Sequence, residues 1–81
     1  PRGTFGLRYE LKQKGVSEKI IEKALQDYDE QAAAWDAIRP KLEKWQHLPQ
    51  MAYRQKIYNF LKQRGFSGAT IRDICEQALS E

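Results

Sequence analysis

The 81 residues contain one cysteine, Cys75, and one histidine, His47. A lone cysteine closes no internal disulfide, and one Cys with one His cannot supply the four-ligand sets that hold structural zinc. Cys75 reads as a small buried hydrophobe, in keeping with a reducing cytoplasm. No glycine-rich phosphate loop is present, because Gly3 and Gly6 follow no strand. No stretch is long and apolar enough to cross a membrane. There is no signal peptide, and the start at Pro1 without a Met reads as that of an excised fragment. Asp27, Asp29 and Glu30 cluster, but at a helix start, where acids are ordinary. The expectation is therefore no catalytic residues, no metal, no cofactor and no enzyme activity.

Acids are missing in one particular place. From Pro49 to Arg72 there are five basic residues and no Asp or Glu. Residues 1–25 hold six Lys/Arg against three acids, and residues 26–48 hold three against five. The net charge of +3 is modest, yet two basic segments flank an acidic one. Such alternation gives a mild pull towards a polyanion or an acidic protein surface.

What the chain does have is a repeat. LKQKGVS at Leu11–Ser17 returns as LKQRGFS at Leu61–Ser67, with five of seven positions identical. The pairing extends to Leu7/Ile57 and Ile21/Ile71. With 41% hydrophobic residues and two Trp, four Tyr and three Phe, the chain can bury enough apolar surface to fold, and each repeated unit would bury its apolar face against its neighbours.

The spacing predicts five helices and no strands. The first runs from a Thr4 cap to about Lys14, with Leu7, Leu11 and the Lys14 stem on one stripe. Gly15 stands where a helix exit needs positive φ, Val16 packs back, and Ser17 caps the second helix. That helix is expected to bury Ile20, Ile21, Ala24, Leu25 and Tyr28. The third, from about 29 to 46, keeps Ala34, Trp35, Ile38, Leu42 and Trp45 in phase through Pro40, which predicts one kinked helix. Pro49 suits the first position of a fourth helix over about 50–64, burying Tyr53, Ile57, Phe60 and Leu61. Gly65, Phe66 and Ser67 repeat the corner, and a fifth helix over about 68–79 buries Ile71, Ile74, Cys75 and Ala78. The fold class is all-α: tandem three-helix repeats in an elongated, curved helical array. The expected units are 1–48, three helices, and 49–81, a partial repeat of two.

Gly15/65, Val16/Phe66 and Ser17/67 are explained by the helix corner alone. The cations are not. Helix, Gly turn, helix also describes a helix-turn-helix reader, but the second helices, EKIIEKALQD and the one carrying Arg72, Asp73 and Glu76, are too acidic to enter a major groove. Weak, non-specific contact with phosphate by the first helices fits better, through Arg8, Lys12, Lys14, Arg54, Lys56, Lys62 and Arg64, with Tyr9 and Tyr58 available to stack on bases. A protein–protein scaffold of the helical-repeat type is the other reading open at this point.

Gly3–Leu25 resembles the second repeat of the RecX family of bacterial recombination regulators, through Gly3, Leu7, Glu10, Leu11, Lys14, Gly15, Val16, Ser17, Ile21, Ala24 and Leu25. Arg54–Ile74 resembles the third, through Lys56, Ile57, Phe60, Leu61, Arg64, Gly65, Phe66 and Ser67. Thr4 stands where the family commonly has Pro, and Pro40 interrupts a helix that the family usually runs through. The resemblance implies a C-terminal fragment of a protein with three tandem three-helix repeats, without the first repeat or the last helix of the third. It also implies a cytoplasmic, monomeric, non-catalytic protein that binds the RecA recombinase filament and the nearby single- or double-stranded DNA backbone. Such a protein would modulate, typically inhibit, the recombination, ATPase and coprotease activities of RecA in DNA repair and the SOS response.

Overall fold

The computed structural model describes residues 2–80, and its five helices are α1 (Thr4–Gln13), α2 (Glu18–Gln26), α3 (Glu30–Trp45), α4 (Gln50–Gln63) and α5 (Gly68–Ser80). Among the described residues there is no strand. The molecule is elongated, 44 × 20 × 18 Å.

The repeated corner forms twice with the same geometry. Gly15 has φ 81° and Gly65 φ 80°, the left-handed conformation that closes a helix. The amides of Val16 and Phe66 return to the carbonyls of Leu11 and Leu61, at 3.0 and 3.2 Å. Ser17 Oγ accepts from Ile20 N, and Ser67 Oγ from Thr70 N. These side chains satisfy amides that the next helix leaves without an internal partner. The third helix is capped by Asp29, whose carboxylate accepts from Ala32 N at 3.0 Å. It runs unbroken through Pro40, which stands exposed. Pro49 is the cap of α4 rather than its first residue.

The core belongs to α3, α4 and α5. Ala33, Ala34 and Ile38 of α3 pack with Ile57 and Leu61 of α4, with Phe66 of the corner, and with Ile71, Ile74, Cys75 and Ala78 of α5. Trp45 closes one end edge-on to Phe60, ring centroids 5.8 Å apart. Cys75 is buried as expected, and burial pushes its thiol pKa up. Completely burying an Ile or Leu contributes about 1.5–3 kcal/mol, so these side chains dominate the stability of the three-helix group.

This packing cuts across the expected division at 48/49. The long helix does not close the first copy; it lies against the second, because its Ala33–Ala34–Ile38 stripe meets the apolar faces of both α4 and α5. The first copy, α1 packed on α2, contributes nothing to that core; within it Ile21 is fully buried. Ile20 and Ala24, expected inside, are exposed. Ile20 lies about 100° round the helix from Ile21, off the flank of α2 that meets α1, while Ala24 lies about 60° round, at the edge of that flank. Tyr28 falls beyond the end of α2, part-buried, and its hydroxyl donates to the carbonyl of Arg2.

Candidate functional site

The two copies meet at the N-terminus of α1. Thr4 does not cap this helix, as its position suggested; the cap residue is Gly3, with no side-chain bond. The second copy provides the capping instead. Gly3 N donates to the carbonyl of Arg64 at 3.1 Å and Phe5 N to that of Gly65 at 3.0 Å. The amide and hydroxyl of Thr4 both donate to Glu30 Oε2, at 2.6 and 2.7 Å. This close approach requires glycine. A Cβ on Gly65 would lie 2.4 Å from Gly6 N, and one on Gly3 would lie 2.2 Å from Phe66 Cα.

Glu30 is the centre of the joint. Its carboxylate also receives the Ser67 hydroxyl at 2.7 Å and the Thr70 hydroxyl. One side chain therefore serves the N-terminal ends of three helices, α1, α5 and its own α3, where helix dipoles favour negative charge. Burial pushes its carboxyl pKa up, but the hydrogen bonds from Thr4, Thr70 and Ser67 outweigh that and hold it at about 2. The sequence suggested only an ordinary acid in a first turn.

The basic side chains expected to face a partner fall into two groups. Arg8 and Lys12 are engaged within the first copy. Arg8 pairs with Glu18 and, at 3.0 Å, with Glu22; Lys12 lies 3.2 Å from Glu18. Lys14, Arg54, Lys56, Lys62 and Arg64 are exposed. Among the described residues no acid lies within ion-pair distance of these five. Lys14 and Arg64 hold matching positions as the caps of α1 and α4, where a cation is favoured. They differ in what they touch: the Arg64 guanidinium sits 4.0 Å over the ring of Phe60.

The structure brings Lys62 and Arg64 together on one groove of about 610 Å³ between α1 and the end of α4. Arg2 and, from α1, Phe5, Gly6 and Tyr9 line its other side, with Gly65 of the corner beside Lys62 and Arg64. Arg8, Lys12, Lys14, Arg54 and Lys56 lie outside it. Both tyrosines singled out by the sequence are exposed, Tyr9 at 67% and Tyr58 at 43%, but only Tyr9 lines the groove. Arg2 and Phe5 were missed. No spacing marks them, because they reach Lys62 and Arg64 only through docking of the two copies. Among the described residues no group of three or more His, Cys, Asp or Glu could hold a metal ion, and no helix is long and apolar enough to cross a membrane.

Comparison with known proteins follows the same division as the packing. Residues 1–25 match the family profile for the second three-helix domain of RecX, and residues 27–75 the profile for the third. Among individual relatives, the regulatory protein RecX of Chlorobium phaeobacteroides is 44% identical over 80 residues, covering 95% of this chain and 50% of that protein. The regulatory protein RecX of Prosthecochloris aestuarii is 39% identical, covering 99% and 52%. That of Clostridium botulinum Eklund 17B is 31% identical, covering 98% and 40%. The chain thus spans about half the length of the first two. No solved structure matches significantly.

Proposed function

Since the chain belongs to the RecX family of regulatory proteins, we propose that it binds the RecA recombinase filament on DNA and modulates RecA, lowering its ATP hydrolysis, strand exchange and coprotease activity. It would act in DNA repair as a cytoplasmic monomer without catalytic chemistry of its own. The observation that best supports this reading is the second copy's surface. Arg54, Lys56, Lys62 and Arg64 lie along one helix and its cap, exposed, in a stretch with no acid. An elongated body presenting cations in this way suits a long polyanionic or acidic partner.

The test is ATP hydrolysis by RecA on single-stranded DNA, with this chain in excess over the filament. Hydrolysis is expected to slow, and to recover as salt screens the cations. A rate that does not move at any excess would refute the proposal. The alternative is a nucleic-acid binder acting without RecA. It predicts salt-sensitive DNA binding with RecA activity changed only as far as the DNA is occupied.

A further inference from the structure

The groove between the copies is not explained by the corner, the core or the joint. We propose that it is a binding site for single-stranded nucleic acid, in which bases stack on Phe5 and Tyr9 while phosphates meet Lys62 and Arg64. The inference deepens the regulatory reading, which already places the chain beside DNA, but rests on its own geometry.

Phe5 and Tyr9 are four residues apart, so both rings stand on one face of α1, about 6 Å apart along its axis. They are 62% and 67% exposed. Two large rings left in water beside a basic rim mark an interaction site. Every base has a π-face, so such rings hold a strand without reading its sequence. Across the groove, Lys62 and Arg64 carry charges that no described acid neutralises, and stacking on Phe60 holds the Arg64 guanidinium in place. Arg2 adds a third cation, partly engaged by Glu10 at 3.7 Å. A duplex hides its base faces within the stack and would leave both rings in water. An acidic protein surface would need apolar side chains set among its carboxylates to use both walls, and its binding would not compete with bases. A single strand uses both walls. The site is composite: α1 supplies the rings, α4 and its cap supply the free cations, and docking through Gly6 and Gly65 joins them.

The experiment is fluorescence anisotropy with the 81-residue chain and no RecA, comparing a labelled oligothymidylate with an abasic strand of equal length. The oligothymidylate should bind more tightly. Tyr9→Ala and Phe5→Ala should each weaken it about tenfold and leave the abasic strand unaffected. Lys62→Gln should weaken both strands and lower the salt slope by about one. Arg39→Gln, on α3 away from the groove, should change neither. Thermal melts that match the wild type show that the variants remain folded. Equal binding of the two strands, with Tyr9→Ala silent, would overturn the stacking site. So would no binding to either strand by a chain that still slows RecA; the groove would then face protein, and the regulatory reading would stand. Oligothymidylate binding with RecA untouched would support the groove and sink the regulatory reading.

Discussion

Gly15 and Gly65 are a matched pair on which the docking of the copies can be measured. Their φ values are 81° and 80°, so replacing either with Ala incurs the same left-handed penalty of about 1–2 kcal/mol. At Gly15 nothing lies within 4 Å of the added Cβ, and that penalty is the whole effect. At Gly65 the Cβ would lie 2.4 Å from Gly6 N and 2.7 Å from Gly6 Cα. Both are backbone atoms and cannot swing away, so α1 must lift. Lifting stretches the bonds from Gly3 N to Arg64 O and from Phe5 N to Gly65 O, worth about 1 kcal/mol each. Gly65→Ala should therefore cost about 2 kcal/mol more than Gly15→Ala. For a domain of this size that is a gap of about 10 °C in melting temperature. Urea unfolding followed by circular dichroism gives the free energies, and hydrogen exchange locates the damage. The amide of Phe5 should lose protection in Gly65→Ala and keep it in Gly15→Ala. Equal destabilisation, or a Phe5 amide equally protected in both variants, would refute the docked joint.

Two further outcomes follow from the charges. Glu30 is held at about 2, below its ordinary 4.5. The folded state thus favours its ionised form: the stabilisation is complete above pH 4.5 and is lost as pH falls from there towards 2. The shift corresponds to roughly 3 kcal/mol, which solvent screening at a part-exposed site reduces to about 1–2 kcal/mol. Glu30→Gln should be less stable than the wild type by about that amount at pH 6, and the difference should shrink at pH 3; a constant difference in urea midpoint at both values would show that the charge is irrelevant. Separately, Lys62→Glu with Arg64→Glu should weaken partner binding by at least tenfold with little change in melting temperature. Arg8→Gln should leave binding nearly intact and cost no more than about 1 kcal/mol, and a loss of binding with Arg8→Gln as large as with the double variant would contradict the division between engaged and free cations.

The corner was legible because its requirements are local. Positive φ, an apolar return and a hydroxyl cap occupy three adjacent positions, and both copies show them in order. The single helix through Pro40 was legible because its apolar stripe keeps phase. Where that helix packs was not. Periodicity shows that Ala33, Ala34 and Ile38 share a face, but not which neighbour covers it. Ile20 was misplaced for a related reason: adjacent apolar residues look equally burying until one knows that α2 offers a single flank. Glu30 and Arg2 were beyond reach for a different one. Their roles depend on pairs 26 to 62 residues apart in the sequence, and no repeat marks them.

The same comparison between copies explains why their cations differ in use. With the offset of 50 residues, Lys12 corresponds to Lys62, but the acids that engage the first copy, Glu18 and Glu22, correspond to Gly68 and Arg72. The first copy therefore carries on α2 the counter-charges for its own α1. The second has no acid at those two positions, and Arg72 adds a further positive charge. Duplication alone would make the two copies equal candidates for a partner. The acids break that symmetry, leaving the charge of Lys62 and Arg64 for use outside the chain. The joint then sets the rings of the first copy beside those cations, so the copy that engages Arg8 and Lys12 internally still contributes to the site.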